Sequence, residues 1–240
     1  MALPIARVAG HSFLLRPLAE PGAVAIDAGA NLGAFARPLA RRCAVLCVEP
    51  VPALAEELSQ AGFKVERAAL AERDGRAELA LFQGTCASLT AAARDDRVGT
   101  VAVETLSLER LLARHGLERV ALLKLDIEGP ESAILLGAPQ SVLARLDQIT
   151  VEFHDFLYPG LREAVDRAIA RLRQAGFDCF QFSRDRSDVL FVNRARWPLG
   201  RIERWLLRGP YRLVRGALRR LVRATPGLRR LRRGWEERNY

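Results

Sequence analysis

Four places in this 240-residue sequence set chemically capable side chains at the end of an apolar run. Residues 23–27 close on Asp27-Ala28-Gly29-Ala30-Asn31-Leu32-Gly33, and residues 44–48 close on Glu49-Pro50. Residues 120–126 end at Asp126, while residues 148–153 carry Glu152 and lead into His154. Gly29 and Gly33 permit a sharp turn and leave no Cβ between a ligand and the main chain. Asn31 is one of the few other residue types that tolerates a left-handed conformation. In an open parallel sheet, ligands sit outside the carboxyl ends of strands at the crossover, where such a turn falls. A strand–turn–helix with no ligand is the alternative.

The pattern excludes the common nucleotide motifs. Asn31 stands where a dinucleotide fingerprint needs its middle glycine, and no Gly-x-x-x-x-Gly-Lys-Ser/Thr occurs. An acid ahead of the turn is a poor neighbour for phosphate and a good one for a cation. Glu49 lies where a carboxylate accepts hydrogen bonds from two ribose hydroxyls. A nucleoside bearing an ammonium or sulfonium and no phosphate meets these conditions, so S-adenosyl-L-methionine is the expected cofactor.

Transfer of that cofactor's methyl needs an acceptor aligned on the methyl carbon and any acceptor proton taken up, and Asp126 and His154, at the ends of the later strands, sit where both would happen. Asp126 could instead cap a helix, and a lone histidine is often structural. Imidazole suits proton transfer near neutrality. Glu128 and Glu131, three apart, share a face if helical, to orient a hydroxyl or to pair with Lys124 as scaffold. Glu152 stands behind the reacting groups. Asp126, Glu152, His154 and Asp155 could hold a divalent cation, but no spacing demands one and no metal is assigned. Cys43, Cys47, Cys86 and Cys179 follow no disulfide or metal spacing and default to core packing. His11 and His115 receive no role.

The elements that must position these groups alternate. Helical stretches are expected at 33–42, 52–61, from 130, and at 161–175, with strands at 23–27, 44–48, 63–68, 120–126 and 148–153. Residues 177–182 and 189–193 read as a closing antiparallel pair, and 77–82 with 101–105 as a strand-like insertion beside the sheet. Half the residues are apolar and 27% charged, which excludes a disordered or collagenous chain. No apolar run is long enough to span a bilayer, and the first 13 residues do not read as a secretory leader. With unpatterned cysteines, this places the protein in the cytoplasm.

Asp27-x-Gly29-x-Asn31-x-Gly33, Val48-Glu49-Pro50, Leu123-Lys124-Leu125-Asp126-Ile127-Glu128-Gly129-Pro130-Glu131 and Val151-Glu152-Phe153-His154 together resemble the FkbM family of S-adenosylmethionine-dependent methyltransferases, over about residues 20–193. The resemblance implies the class I methyltransferase fold: a Rossmann-like, mostly parallel seven-stranded sheet with its last strand antiparallel and helices on both faces. It implies methylation of hydroxyl groups on sugars, polyketides or related molecules. It places Gly29, Asn31 and Gly33 on the methionine part of the cofactor, Asp27 on its amino group directly or through water, and Glu49 on the ribose. The adenine edge is implied near Arg67, Ala68 and Ala69. Pro130 stands where Ala is more usual in the family, and a firm helix start at Glu131 follows.

The charge divides the chain. Residues 194–240 hold 15 Arg against Glu203, Glu236 and Glu237, a local +12, so residues 1–193 carry −3 of the total +9. A methyltransferase domain over 1–193 and an Arg-rich, amphipathic helical tail over 194–240 follow, with helices at 200–208 and 211–223. Trp205, Tyr211 and Trp235 among the arginines fit an anionic membrane surface engaged through residues 200–235, on the inner face of the membrane. Packing on the domain or on a partner subunit is the alternative. Nucleic acid is disfavoured because aromatic residues and Arg do not interleave. The combined reading is an O-methyltransferase acting on a sugar, glycolipid or other small-molecule hydroxyl. The rivals are an RNA methyltransferase, and a cofactor-binding adaptor that acts through its tail.

Overall fold

The computed structural model describes residues 5–82, 87–89 and 97–209. An antiparallel hairpin opens the chain, β1 (Ile5–Val8) and β2 (His11–Leu14). Then come β3 (Val24–Ala28), α1 (Ala36–Leu39), β4 (Ala44–Val48), α2 (Pro52–Gln60) and β5 (Lys64–Glu66). Four strands follow, β6 (Ala69–Leu70), β7 (Gly75–Phe82), β8 (Ala87–Ser88) and β9 (Arg97–Leu106), then α3 (Leu108–Arg114). The chain continues through β10 (Leu122–Leu125), α4 (Glu131–Gly137), α5 (Gln140–Leu143), β11 (Gln148–Val151), α6 (Arg162–Gln174), β12 (Phe177–Gln181), β13 (Val189–Asn193) and α7 (Arg201–Arg208).

The main sheet has seven strands in the order β12-β13-β11-β10-β3-β4-β5. Pairs β11/β10, β10/β3, β3/β4 and β4/β5 are parallel, while β13 runs antiparallel to both neighbours. From β3 the chain builds outward through β4 and β5, then crosses back to lay β10 on the other side of β3. The carboxyl ends of β3 and β10 therefore flank a topological switch point. Every residue of β10, β11 and β13 is buried, which explains their mostly apolar composition, with Gln148, Thr150 and Asn193 as buried polar exceptions. Lys124 breaks that rule inside β10, and its charge must be met within the fold.

The helix expected at 33–42 is reduced to Ala36–Leu39. Gly33 holds φ +77° ahead of it, and Pro38 supplies no amide for a longer ladder. The insertion is a sheet of its own, in the order β6-β9-β7-β8, with β7 and β9 paired antiparallel over Gly75–Phe82 and Arg97–Leu106. The β1–β2 hairpin and α3 carry no expected element in the sequence reading.

The chain divides into two compact units, Met1–Trp197 and Pro198–Tyr240. In the second, α7 begins at Gly200, whose N–H donates to Glu203 Oε2 at 2.8 Å. Ile202 and Trp205 are 74% and 63% exposed. The helix expected at 211–223, and Trp235, lie outside the described residues. No helix among the described residues is long and apolar enough to cross a membrane.

Candidate active site

The turn after β3 is built by backbone strain and one carboxylate. Gly29, Asn31 and Gly33 all have positive φ, at +75°, +50° and +77°. A Cβ at Gly29 would lie 1.9 Å from the carbonyl oxygen of Asp126, so its bare Cα lets the turn cross β10. Glu49, at the end of β4, accepts the Asn31 N–H on Oε2 at 2.8 Å and the Val51 N–H on Oε1 at 2.9 Å. Burial pushes the Glu49 carboxyl up, against the pull of those two bonds. Lys124 reaches from β10 beneath the turn. Its Nζ donates to the Gly29 carbonyl at 2.8 Å and pairs with Asp27 at 3.0 Å and Asp126 at 3.5 Å. Burial opposes the Lys124 charge, but Asp27 and Asp126 outweigh it and its pKa is raised. Burial pushes the Asp27 carboxyl up, partly offset by Lys124.

An open cleft lies over the ends of β3, β4 and β10. Gly29, Asn31, Glu49, Asp126 and Glu128 supply its polar lining, and Leu70 and Leu79 part of its apolar wall. Leu79, Ala87 and Leu89 come from the insertion, so the second sheet closes one side of the cleft. Three carboxylates and no cationic side chain line it among the described residues. Such a lining rejects phosphate and favours a cation.

Beyond Asp126 the acids meet two imidazoles. His11 Nε2 on β2 faces Asp126 Oδ2 at 3.4 Å, and His154 Nε2 faces Asp126 Oδ1 at 3.8 Å and Glu128 Oε2 at 3.6 Å. His154 Nδ1 donates to Glu131 Oε1 at 2.9 Å. The same oxygen accepts the Ile127 and Gly129 amides at 3.2 and 3.0 Å. Burial works against the Asp126 charge, yet His11, Lys124 and His154 hold its carboxyl well below the usual range. For His154 burial lowers the pKa, but Glu131, Glu128 and Asp126 push it up to about 9. Burial and Asp126 push the Glu152 carboxyl up. Its neighbour Asp126 is thus displaced in the opposite direction.

The structure brings Gly29, Asn31, Glu49 and Asp126 to the cleft, with His154 within 4 Å of two lining carboxylates. It does not bring Asp27. That residue is 0% exposed and paired with Lys124, which it supports under the turn. Gly33 does not line the cleft; it sits against Leu58 and opens the approach to α1. Asp126 caps no helix, since α4 starts at Glu131 with Pro130 as its N-cap. Glu128 and Glu131 share no helical face, because Glu128 precedes α4 at φ +60°. Asp155 turns away to Arg186 at 3.0 Å. His11 was missed, because nothing local in residues 1–13 shows that a hairpin carries it to β10.

The family model described as the methyltransferase FkbM domain matches residues 27–179, well over half of the chain. The chain belongs to the FkbM methyltransferase family. Membership of that family implies S-adenosylmethionine as its cofactor. The carboxylate-lined cleft is compatible in charge with that sulfonium nucleoside. Among curated proteins, the chain is 35% identical over 71 residues to the AMB antimetabolite synthetase AmbE of Pseudomonas aeruginosa. That stretch covers 30% of this chain, and this chain spans about 3% of that protein's length. Among solved structures it is similar to a precorrin 8w decarboxylase of Methanobacterium thermoautotrophicum, with a TM-score of 0.35, 20% identity and 68% of each chain covered. It is also similar to magnesium protoporphyrin IX methyltransferase of Synechocystis with bound S-adenosylmethionine, at a TM-score of 0.35 and 13% identity, covering 71% of this chain and 69% of that one.

Proposed function

We propose that this FkbM-family chain is an O-methyltransferase that methylates a hydroxyl of a sugar, glycolipid or other small-molecule acceptor. The observation that carries this reading is the run of carboxylates along the cleft, from Glu49 to Asp126 and Glu128, with no cation among the described lining residues. S-adenosylmethionine supplies a methyl on a sulfonium, and transfer to oxygen breaks the S–C bond with its electron pair left on sulfur. Glu49 accepts the ribose hydroxyls on the lone pairs that Asn31 and Val51 leave open. The Gly29–Asn31 backbone lies along the methionine part, and Gly33 shapes that turn from behind.

Asp126 is ionised and 29% exposed, so it can take the hydrogen bond of an incoming hydroxyl and hold it in line, relaying the proton to water as the methyl transfers. His154 orients the same oxygen from beside Asp126 and Glu128. Positioning of this kind contributes up to about 7–11 kcal/mol and a placed base about 10²–10⁴ in rate. The test is release of S-adenosylhomocysteine when labelled donor meets a cell glycan or lipid extract. The reading expects release by the native chain, and a loss of about 10²–10⁴-fold in Asp126→Asn with donor binding retained. Equal release by both would overturn it.

The exposed Ile202 and Trp205, one helical turn apart among Arg201, Arg204 and Arg208, support engagement of an anionic membrane surface by the basic tail. A lipid-linked acceptor would then be met at the surface where it is made.

A further inference from the structure

We propose that Asp126 Oδ1, Glu128 and His154 Nε2 form a binding site for one divalent first-row cation at the inner end of the cleft. The inference rests on the methyl-transfer reading only for its purpose; the site is argued from geometry. Candidate ligand atoms of the three residues all lie within 4.8 Å of one another. His154 Nε2 stands 3.6 Å from Glu128 and 3.8 Å from Asp126, beyond hydrogen-bond reach of either. Two donors held about 2.1 Å from one ion are about 3.0–3.6 Å apart at angles of 90–120°. The two His154 distances thus need to shorten by no more than a few tenths of an ångström, and the two carboxylates, within 4.8 Å, must close in on the same ion.

A second observation is independent of the acids. His154 is 3% exposed, and its Nδ1 is engaged by Glu131, which is wholly buried and fixed by the Ile127 and Gly129 amides. A carboxylate behind a histidine fixes the ring and aims its other nitrogen outward, as in metal sites, where the ion displaces that nitrogen's proton. Here the aimed nitrogen points into the gap between two carboxylates. Ser88 in β8 donates to the Glu128 carbonyl at 2.6 Å and so braces a residue held at φ +60°. A non-glycine in that conformation is costly and concentrates at functional sites.

The charges on the two sides of Asp126 differ. Oδ2 faces Lys124 and His11, so that oxygen is already met by a cation and a ring. Oδ1 faces His154, with Glu128 and Glu131 beyond it. Around that ring the carboxylates of Asp126, Glu128 and Glu131 converge. Two carboxylates and one imidazole suit Mn²⁺ or Zn²⁺ better than Ca²⁺. Asp126 and Glu128 both line the cleft, which supplies the entry path and leaves coordination positions facing the acceptor. A hydroxyl bound there would be acidified by direct coordination.

The test uses the full chain stripped by a chelator and titrated with Mn²⁺, with free ion read by electron paramagnetic resonance. One bound ion per chain is expected, with affinity falling roughly 10–100-fold in both Glu128→Gln and His154→Ala. S-adenosylhomocysteine binding is measured on each variant to show that the cleft is intact. Mn²⁺ that stays free in the presence of native chain that binds S-adenosylhomocysteine overturns the cation site and leaves the methyltransferase reading standing. Binding unchanged in both variants overturns it as well. Mn²⁺ binding without methyl release from any acceptor would retain the site and remove the reaction.

Discussion

At the scale of single residues, two glycines of one turn do different work. Gly29 must be glycine because a Cβ would meet the Asp126 carbonyl, whereas a Cβ at Gly33 would meet the Leu58 methyl at 3.0 Å, which can yield. Gly29→Ala is expected to cost at least about 2 kcal/mol, or to prevent folding, and Gly33→Ala about 1 kcal/mol from its φ alone. Denaturant unfolding of the two variants checks the order. Lys124→Met leaves Asp27 buried without its cation, with an expected loss of about 3–5 kcal/mol. Removing both charges, as Asp27→Leu with Lys124→Met, is expected to be less damaging than the single change. A double variant no more stable than Lys124→Met would show that the pair is not what holds the turn.

Glu49 links a residue to a pH dependence. Burial raises its carboxyl above the ordinary 4.5, so it takes a proton earlier than an exposed glutamate as pH falls. The free protein must lose that proton to bind the ribose with its carboxylate. Donor affinity should therefore be full at neutral pH and decline as pH falls through the raised value. In Glu49→Gln affinity should be lower by roughly 10–100-fold at neutral pH, with that acid decline gone. Calorimetry at several pH values reads both.

At the scale of elements, legibility followed whether the signal was local. Strands β3, β4 and β10 are legible as apolar runs because both their faces are buried, and each ends one residue before a site residue. Asn31 was legible too, since its left-handed turn depends on residue type alone. What could not be read were long-range placements. His11 reaches Asp126 across 115 positions, and Ser88 reaches Glu128 across 40. The hairpin that carries His11 is tied down by Asp188, which accepts the Ser12 N–H at 2.8 Å, the Ser12 hydroxyl at 2.9 Å and Arg7 Nε at 2.9 Å. Asp188→Ala is expected to strand those donors at about 1–3 kcal/mol and to speed amide exchange at Ser12 and its neighbours. Unchanged exchange would mean the hairpin is held by its apolar face alone.

At the scale of the molecule, charge is segregated between a mildly acidic first 193 residues and a basic last 47. The acidic cleft and the basic tail should therefore be separable by salt and by truncation. A chain ending at Asn193 is expected to lose sedimentation with anionic vesicles while its S-adenosylhomocysteine affinity stays the same. Equal pelleting of both chains would contradict the membrane reading.

The central claim is that a cleft walled by Glu49, Asp126 and Glu128 accepts a cationic nucleoside and refuses its phosphorylated relatives. Calorimetric titration of the native chain with S-adenosylmethionine and, separately, with NAD⁺ tests it most directly. The account predicts saturable binding of the sulfonium compound, strongly weakened in Glu49→Ala, and no competition from NAD⁺. Displacement of the donor by NAD⁺, or an unaltered affinity in Glu49→Ala, would contradict it.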